Sequence, residues 1–197
     1  MAQLISFFVF IFLLLPPAGM AAVVEFDPSA SSAEFLAVGR PSMMKIRGKD
    51  GKVQGKLDLA QKDNLGELTI DLDGFDTGIA MRNQHMKEKY LQTNDPSKKH
   101  AKLVVTKFEV PADLLKNGGK ADLPFAGKLN FHGEQRDVSG ILVTEVKGDK
   151  LTGTTKLQLN LSDYKVEIPS YLGIKVAETV DVEVSLTGKI SSEPQKL

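Results

Sequence analysis

The sequence predicts an all-β protein, an antiparallel sheet wrapped into a barrel, with one short helix lying across one end. Three observations lead there. Runs of alternating polar and apolar residues recur along the chain, turn-forming residues separate them, and a single stretch free of Gly and Pro has helical spacing.

The first segment stands apart from the fold. Leu4 to Leu15 is almost wholly apolar, followed by Pro16-Pro17 and the small residues of Ala18-Gly19-Met20-Ala21-Ala22. The run is short of the roughly 20 apolar residues that span a bilayer. It reads as a signal peptide over residues 1–22, cut after Ala21 or Ala22, and so as an exported chain with no stable membrane span after cleavage. No Lys or Arg precedes the apolar run, so the α-amino group alone supplies positive charge there. An uncleaved anchor or a buried core helix is the competing reading.

From Val23 onward the period is two. Glu67-Leu68-Thr69-Ile70-Asp71-Leu72-Asp73 alternates without a break, as does Val180-Asp181-Val182-Glu183-Val184-Ser185-Leu186. Leu157, Leu159 and Leu161 share one face of the run that starts at Leu151. Such alternation gives a sheet with one apolar and one wet face, whereas parallel α/β sheets show continuous apolar runs. Gly48-Lys49-Asp50-Gly51, Asn117-Gly118-Gly119 and Lys147-Gly148-Asp149 are expected turns, and His132-Gly133 is expected to close a hairpin. Leu103-Val104-Val105 covers both faces, so the strand phase from Lys102 to Val110 is ambiguous, with a bulge as one way to account for it. Many antiparallel strands with short turns imply a sandwich or a barrel, and closure removes exposed edges.

The helix is expected over Ile79 to Leu91, with Thr77 as its cap and Pro96 beyond its end. One domain over residues 23–190 follows, since no repeat or linker interrupts it, and residues 191–197 read as a flexible tail.

Composition narrows the function. The 197 residues carry 25 Lys+Arg and 25 Asp+Glu, and residues 1–22 carry none of these, so the mature chain has no basic surplus for nucleic acid. Cysteine is absent, which removes disulfides, thiolate ligands and cysteine nucleophiles. His85, His100 and His132 are the only histidines, and none is spaced for metal with another. No nucleophile elbow, phosphate loop or dinucleotide fingerprint occurs. No catalytic residue, metal or cofactor is therefore expected. Asp71 and Asp73 fall on the wet face, and the sequon Asn160-Leu161-Ser162 has meaning only in a eukaryotic secretory route.

Phe75-Asp76-Thr77-Gly78 followed by Met81-Arg82-Asn83-Gln84-His85-Met86 resembles the signature of the YceI family. Asp95-Pro96 with Ala101 to Val105, Gly127 to Gly133, Leu161-Ser162-Asp163-Tyr164, Gly173-Ile174 and Val180-Asp181-Val182 resemble its later motifs in order. Phe26-Asp27-Pro28 and Ser32-Ala33-Glu34-Phe35 resemble its opening strands. The sequence departs at Asn83, where the family has Asp, at Asn94-Asp95, where aromatics are common, and at Phe131, where an aliphatic is usual.

The resemblance implies an extended lipocalin-like barrel in the periplasm whose apolar interior holds an isoprenoid lipid, in a family that is often dimeric. On that reading the lining comprises Phe35, Ile70, Leu72, Phe75, Leu103, Phe125, Leu129, Phe131, Leu157, Leu159, Val182 and Val184, with Met81, Met86 and Tyr90 from the helix. Met43 and Met44 are further lining candidates, because thioethers fit irregular ligands. Gly127, Gly140 and Gly153 are expected to leave room beside the bulky residues. Arg82, His85 and Arg136 are headgroup candidates, since Arg makes bidentate contacts to phosphate. For each of these the competing reading is core packing or a structural hydrogen bond. His132, at its turn, is expected to satisfy backbone groups. Two other functions compete: a ligand-free structural or stress-related interaction protein with a packed core, and an enzyme acting on a lipid headgroup.

Overall fold

The computed structural model describes residues 20–40, 44–171 and 174–194. Residues 1–19 of the segment read as a signal peptide, together with Met43 and Gly173, lie outside the described residues.

Strands β1 (Met20–Phe26), β2 (Ser32–Arg40), β3 (Lys45–Asp58), β4 (Gly66–Asp71), β5 (His100–Phe108) and β6 (Gly119–Phe131) are followed by β7 (Glu134–Lys147) and β8 (Lys150–Asn160). The short β9 (Ser170–Tyr171) and β10 (Ile174–Val176) precede the long β11 (Thr179–Pro194). Every pairing among them is antiparallel. The order β11-β8-β7-β6-β5-β4-β3-β2 closes on itself because β2 pairs back to β11, with Phe35 opposite Val182. β2 does not reach the far end of its neighbours, and β1 fills that place. Val24 lies opposite Ile190 on one side and Leu57 on the other. The result is the closed all-β barrel expected from alternation, in which β7 and β8 are laddered only from Val143–Thr154 to Lys147–Lys150 and part from each other toward the α1 end.

The turns follow local chemistry. His132 and Gly133, with φ of 53° and 85°, close β6 to β7 as a two-residue hairpin turn whose twist matches the flanking strands. Gly148, with φ of 60°, turns β7 into β8. The phase left ambiguous in β5 is resolved by a bulge, where the register with β6 shifts between Val105 and Lys107.

One expectation is corrected. Gly48 to Gly51 is not a turn but runs inside β3. Its turn-like chemistry shows as Asp50 with φ of 68°, beside a register shift between Ala33 and Phe35. The glycines are needed there because aromatic rings cover them. Residues 191–194 continue β11, where Ser191 lies opposite Val23, while Ser192, Glu193 and Pro194 lie opposite Ala22, Ala21 and Met20, inside the segment read as a signal peptide.

The helix lies where the spacing put it. α1 (Ala80–His85) passes directly into a π-helical turn over Met86–Tyr90. Widening the turn puts Met86 into the core, and the Leu91 amide donates to the Met86 carbonyl at 2.8 Å. Thr77 does not cap it: Ile79 holds that position, and Thr77 serves a different contact. A second short helix, α2 (Ala112–Asn117), was not apparent in the sequence because six residues cannot establish a period. Its Leu114 is buried among the core side chains near the end remote from α1. That end is tightly packed, with Val24, Val146 and Leu151 almost wholly buried.

Candidate functional site

The barrel is hollow toward the α1 end. A cavity of about 590 Å³ runs inward from the connections around α1. Its wall is built from the alternate residues of the surrounding strands, so the pleat that buries one face also lines the lumen.

The structure places the expected lining residues together. Phe35 reaches the cavity from β2, Ile70 from β4, Leu72 and Phe75 just beyond it, and Leu103 from β5. Phe125, Leu129 and Phe131 come from β6, Leu157 and Leu159 from β8, and Val182 and Val184 from β11. Met81, Met86 and Tyr90 contribute from the helical segment, and Met44 from just before β3. Met81 is 68% exposed and Ile79 is 52% exposed, so an apolar rim continues from the lumen to solvent.

The deeper half was missed. Phe26, Val53, Leu57, Leu68, Leu142 and Leu186 also line the cavity. Leu68 and Leu186 share the phase of Ile70 and Val184, so extending each alternation by one step finds them. Thr155 shares the phase of Leu157 and Leu159, and only its polarity hid it.

The glycines do not open space for a guest. A Cβ on Gly140 would stand 3.0 Å from both Leu157 and Phe125, and one on Gly153 would stand 2.8 Å from Leu142. On Gly127 it would meet the Val104 carbonyl oxygen at 2.5 Å. These positions accept neighbouring groups. The free volume arises because the wall's side chains do not meet across the lumen.

A polar clip fixes α1 over the mouth. The Asn83 carboxamide oxygen accepts from the Thr77 amide at 2.8 Å and from the Thr77 hydroxyl at 2.5 Å. Its nitrogen donates to Asp76 at 2.6 Å. Arg82 donates to the Thr77 hydroxyl at 3.0 Å and to the Thr77 carbonyl at 2.6 Å. Bonds from Asn83 and the Gly78 amide hold the Asp76 carboxyl below its ordinary range. Arg82 and exposed His85 therefore both border the cavity, but the Arg82 guanidinium is already engaged.

Arg136 is not part of the cavity wall, a correction to the headgroup set. It stands opposite Leu129 near the hairpin end, where its long side chain reaches solvent, pairing with Glu134 at 3.4 Å and donating to the Gln135 carbonyl at 2.8 Å. His132 is buried at the same hairpin, and its Nδ1 lies 3.1 Å from the Tyr164 carbonyl. That carbonyl only accepts, so Nδ1 carries the proton and Nε2 is left without a partner among the described residues. Burial pushes this imidazole below its ordinary value. Tyr164 is buried too, its ring centroid 5.2 Å from that of Phe131, and burial raises its phenol.

Among the described residues no group of three His, Cys, Asp or Glu side chains is placed to hold a metal ion, and no helix is long and apolar enough to cross a membrane.

Comparison with known proteins adds the following. The model of the YceI-like domain matches residues 25–188. A polyisoprenoid binding domain from Saccharophagus degradans, implicated in plant cell wall breakdown, superposes with a TM-score of 0.68 at 19% identity. The match covers 85% of this chain and 98% of that one. BcnA of Burkholderia cenocepacia gives a TM-score of 0.63 at 22% identity, covering 82% of this chain and 98% of that one. A Campylobacter jejuni YceI protein gives 0.52 at 13% identity, covering 73% and 81%. These likenesses establish a shared barrel. No curated protein matches the sequence.

Proposed function

The chain belongs to the YceI-like domain family, and on that premise we propose that it is a lipid-binding module whose barrel holds the isoprenoid tail of an amphiphile. The observation that carries this is the lumen itself, about 590 Å³ with a nearly continuous apolar wall. Ligand cavities generally span roughly 300–1,000 Å³. An isoprenoid tail offers only methyl, methylene and olefinic groups, and each buried CH₂ contributes about 0.8 kcal/mol. Such a wall favours a branched hydrocarbon chain and little else. The Saccharophagus degradans domain, a polyisoprenoid binder with the same fold, supports the same class of ligand.

The packed-core alternative fits poorly with a lumen that side chains leave unfilled. The enzyme alternative draws no support from the hydrogen bonds of the described lining residues, where the Thr77 hydroxyl donates to Asn83 and accepts from Arg82, so on our reading the module holds its guest. Export by the leader of residues 1–22 would place it in the periplasm, where it carries or sequesters the lipid, and the family resemblance adds a homodimer. Fractionation of cells and light scattering of the purified protein test those two points.

The main test is extraction. Protein purified without detergent is expected to release an isoprenoid lipid into organic solvent, identified by mass spectrometry. A protein that yields none, and that binds no added isoprenoid after delipidation, would refute the reading.

A further inference from the structure

The exposed apolar side chains of this barrel are not scattered evenly. Among the described residues the large ones are Met44, Ile79, Met81, Ile141 and Val143. The first three border the mouth of the cavity, while Ile141 and Val143 flank the inward Leu142 on β7. Asp76 bridges Lys49 in antiparallel sense, so the segment leading to Ile79 runs back along β3 toward the end that Met44 precedes. Met44, Ile79 and Met81 therefore belong to one rim.

Three basic residues stand beside that rim. Lys175 lies directly opposite Arg40 across β10 and β2. Lys45 lies opposite Val38, which is two residues from Arg40 in the same phase, about 7 Å along the strand. All three are exposed and share the outer face, because Ala37 and Val176 hold the inward phase and line the cavity. Like charges placed directly opposite one another on a sheet repel. Elsewhere the outer wall sets bases against acids, as in Arg47 with Glu34, Lys102 with Glu67 and Lys156 with Glu183. Among the described residues Arg40, Lys45 and Lys175 have no such ion pair. On the α1 side, Asp76 is already bonded to Asn83 and the Gly78 amide, and α1 itself carries no acid.

We propose that this mouth face, Met44, Ile79 and Met81 with Arg40, Lys45 and Lys175, docks on an anionic phospholipid bilayer. Exposed apolar side chains rimmed by polar ones mark protein or membrane contacts. Here the apolar tips enter the acyl boundary while the cationic heads stay at the level of the phosphates. A second copy of the chain fits less well, since a two-fold mouth-to-mouth contact sets the same patch against itself and the basic trio against its own copy. The purpose of docking rests on the lipid-binding reading, although its geometry does not. A hydrocarbon tail loses free energy with every methylene it exposes to water, and a mouth seated on the bilayer passes the guest between membrane and lumen without that exposure.

The test reads docking without a guest, by flotation of the delipidated protein with vesicles of phosphatidylcholine alone or of phosphatidylcholine mixed with phosphatidylglycerol. The wild type is expected to float with the mixed vesicles, far less with the neutral ones, and less as salt is raised. A triple variant, Arg40→Gln with Lys45→Gln and Lys175→Gln, is expected to bind the mixed vesicles about a hundredfold more weakly, roughly fivefold for each charge. Ile79→Ser with Met81→Ser is expected to lose about tenfold. Two controls should bind as the wild type does: Lys107→Gln with Lys116→Gln and Lys120→Gln, which removes the same charge at the remote end, and Ile141→Ser with Val143→Ser on β7. The proposal is overturned if the wild type stays off the mixed vesicles, or if the controls lose as much as the mouth variants. It is overturned too if light scattering shows a dimer that Ile79→Ser with Met81→Ser splits. A wild type that yields an isoprenoid on extraction yet ignores vesicles sinks this proposal alone, and one that docks but neither yields nor binds an isoprenoid sinks the lipid-binding reading alone.

Discussion

Phe35 and Phe75 meet edge to face, ring centroids 5.2 Å apart at 75°, directly over two glycines of β3. A Cβ on Gly48 would stand 2.0 Å from the Phe35 ring, and one on Gly51 would stand 2.6 Å from the Phe75 ring. The bare strand leaves the space that these ring atoms occupy, which a Cβ at either position would take. Gly48→Ala is therefore expected to push Phe35 off its seat. Overpacking of this kind costs about 1–3 kcal/mol. The expected result is a fall of several degrees in melting temperature together with weaker lipid retention, read by calorimetry and by extraction from the same preparation.

Filling the lumen separates a ligand cavity from a packed core. Leu157→Trp adds a ring to the wall at mid-barrel. In a hollow barrel the ring occupies space meant for the guest, so lipid binding is lost while the melting temperature of the empty protein holds or rises. In a solid core the same change would cost about 1–3 kcal/mol. Paired thermal melts and lipid titrations distinguish the two.

Asn83 ties α1 to the barrel through Thr77 and Asp76. Asn83→Ala is expected to speed release of a fluorescent lipid roughly three- to tenfold, the equivalent of about one net hydrogen bond. The barrel's far-ultraviolet spectrum should not change. The same substitution should return the Asp76 carboxyl toward its ordinary value of 3.8, visible by NMR titration. Unaltered release would show that the clip does not control the mouth.

His132 makes stability depend on pH. Burial holds its folded-state value below the ordinary 6.5, so the unfolded chain takes up the proton first as pH falls. Its contribution is intact above about 6.5 and is lost as pH drops from there toward the lowered value, below which the loss is constant. Denaturation midpoints measured between pH 7.5 and pH 5 (roughly the range in which histidine titrates) should decline in the wild type. His132→Asn keeps the positive φ that the His132-Gly133 turn requires, and should flatten that decline.

Strand alternation made most of the wall legible. Ile70, Leu72, Leu157, Leu159, Val182 and Val184 could be assigned to one inward face because a strand repeats every two residues whatever its partners. The helix over Ala80–Tyr90 was visible for a similar reason, its length being enough to show a period. Arg136 misled because it has the inward phase, opposite Leu129, yet stands at the hairpin end where a long side chain reaches water. Gly48 and Gly51 read as turn residues because small size serves turns and ring packing alike, and one sequence cannot separate the two.

By itself, then, the sequence determined which residues face inward, where the chain reverses and where its one legible helix lies, since periodicity and turn chemistry act between near neighbours. Tertiary structure alone decided that β2 returns to β11, that β1 completes the same wall, and that the enclosed side chains stop short of one another. Those depend on distances between residues far apart in the chain, and on how evenly strands of unequal length can close a ring. The emptiness of the lumen is a property of the circle, and no segment of it carries that information alone.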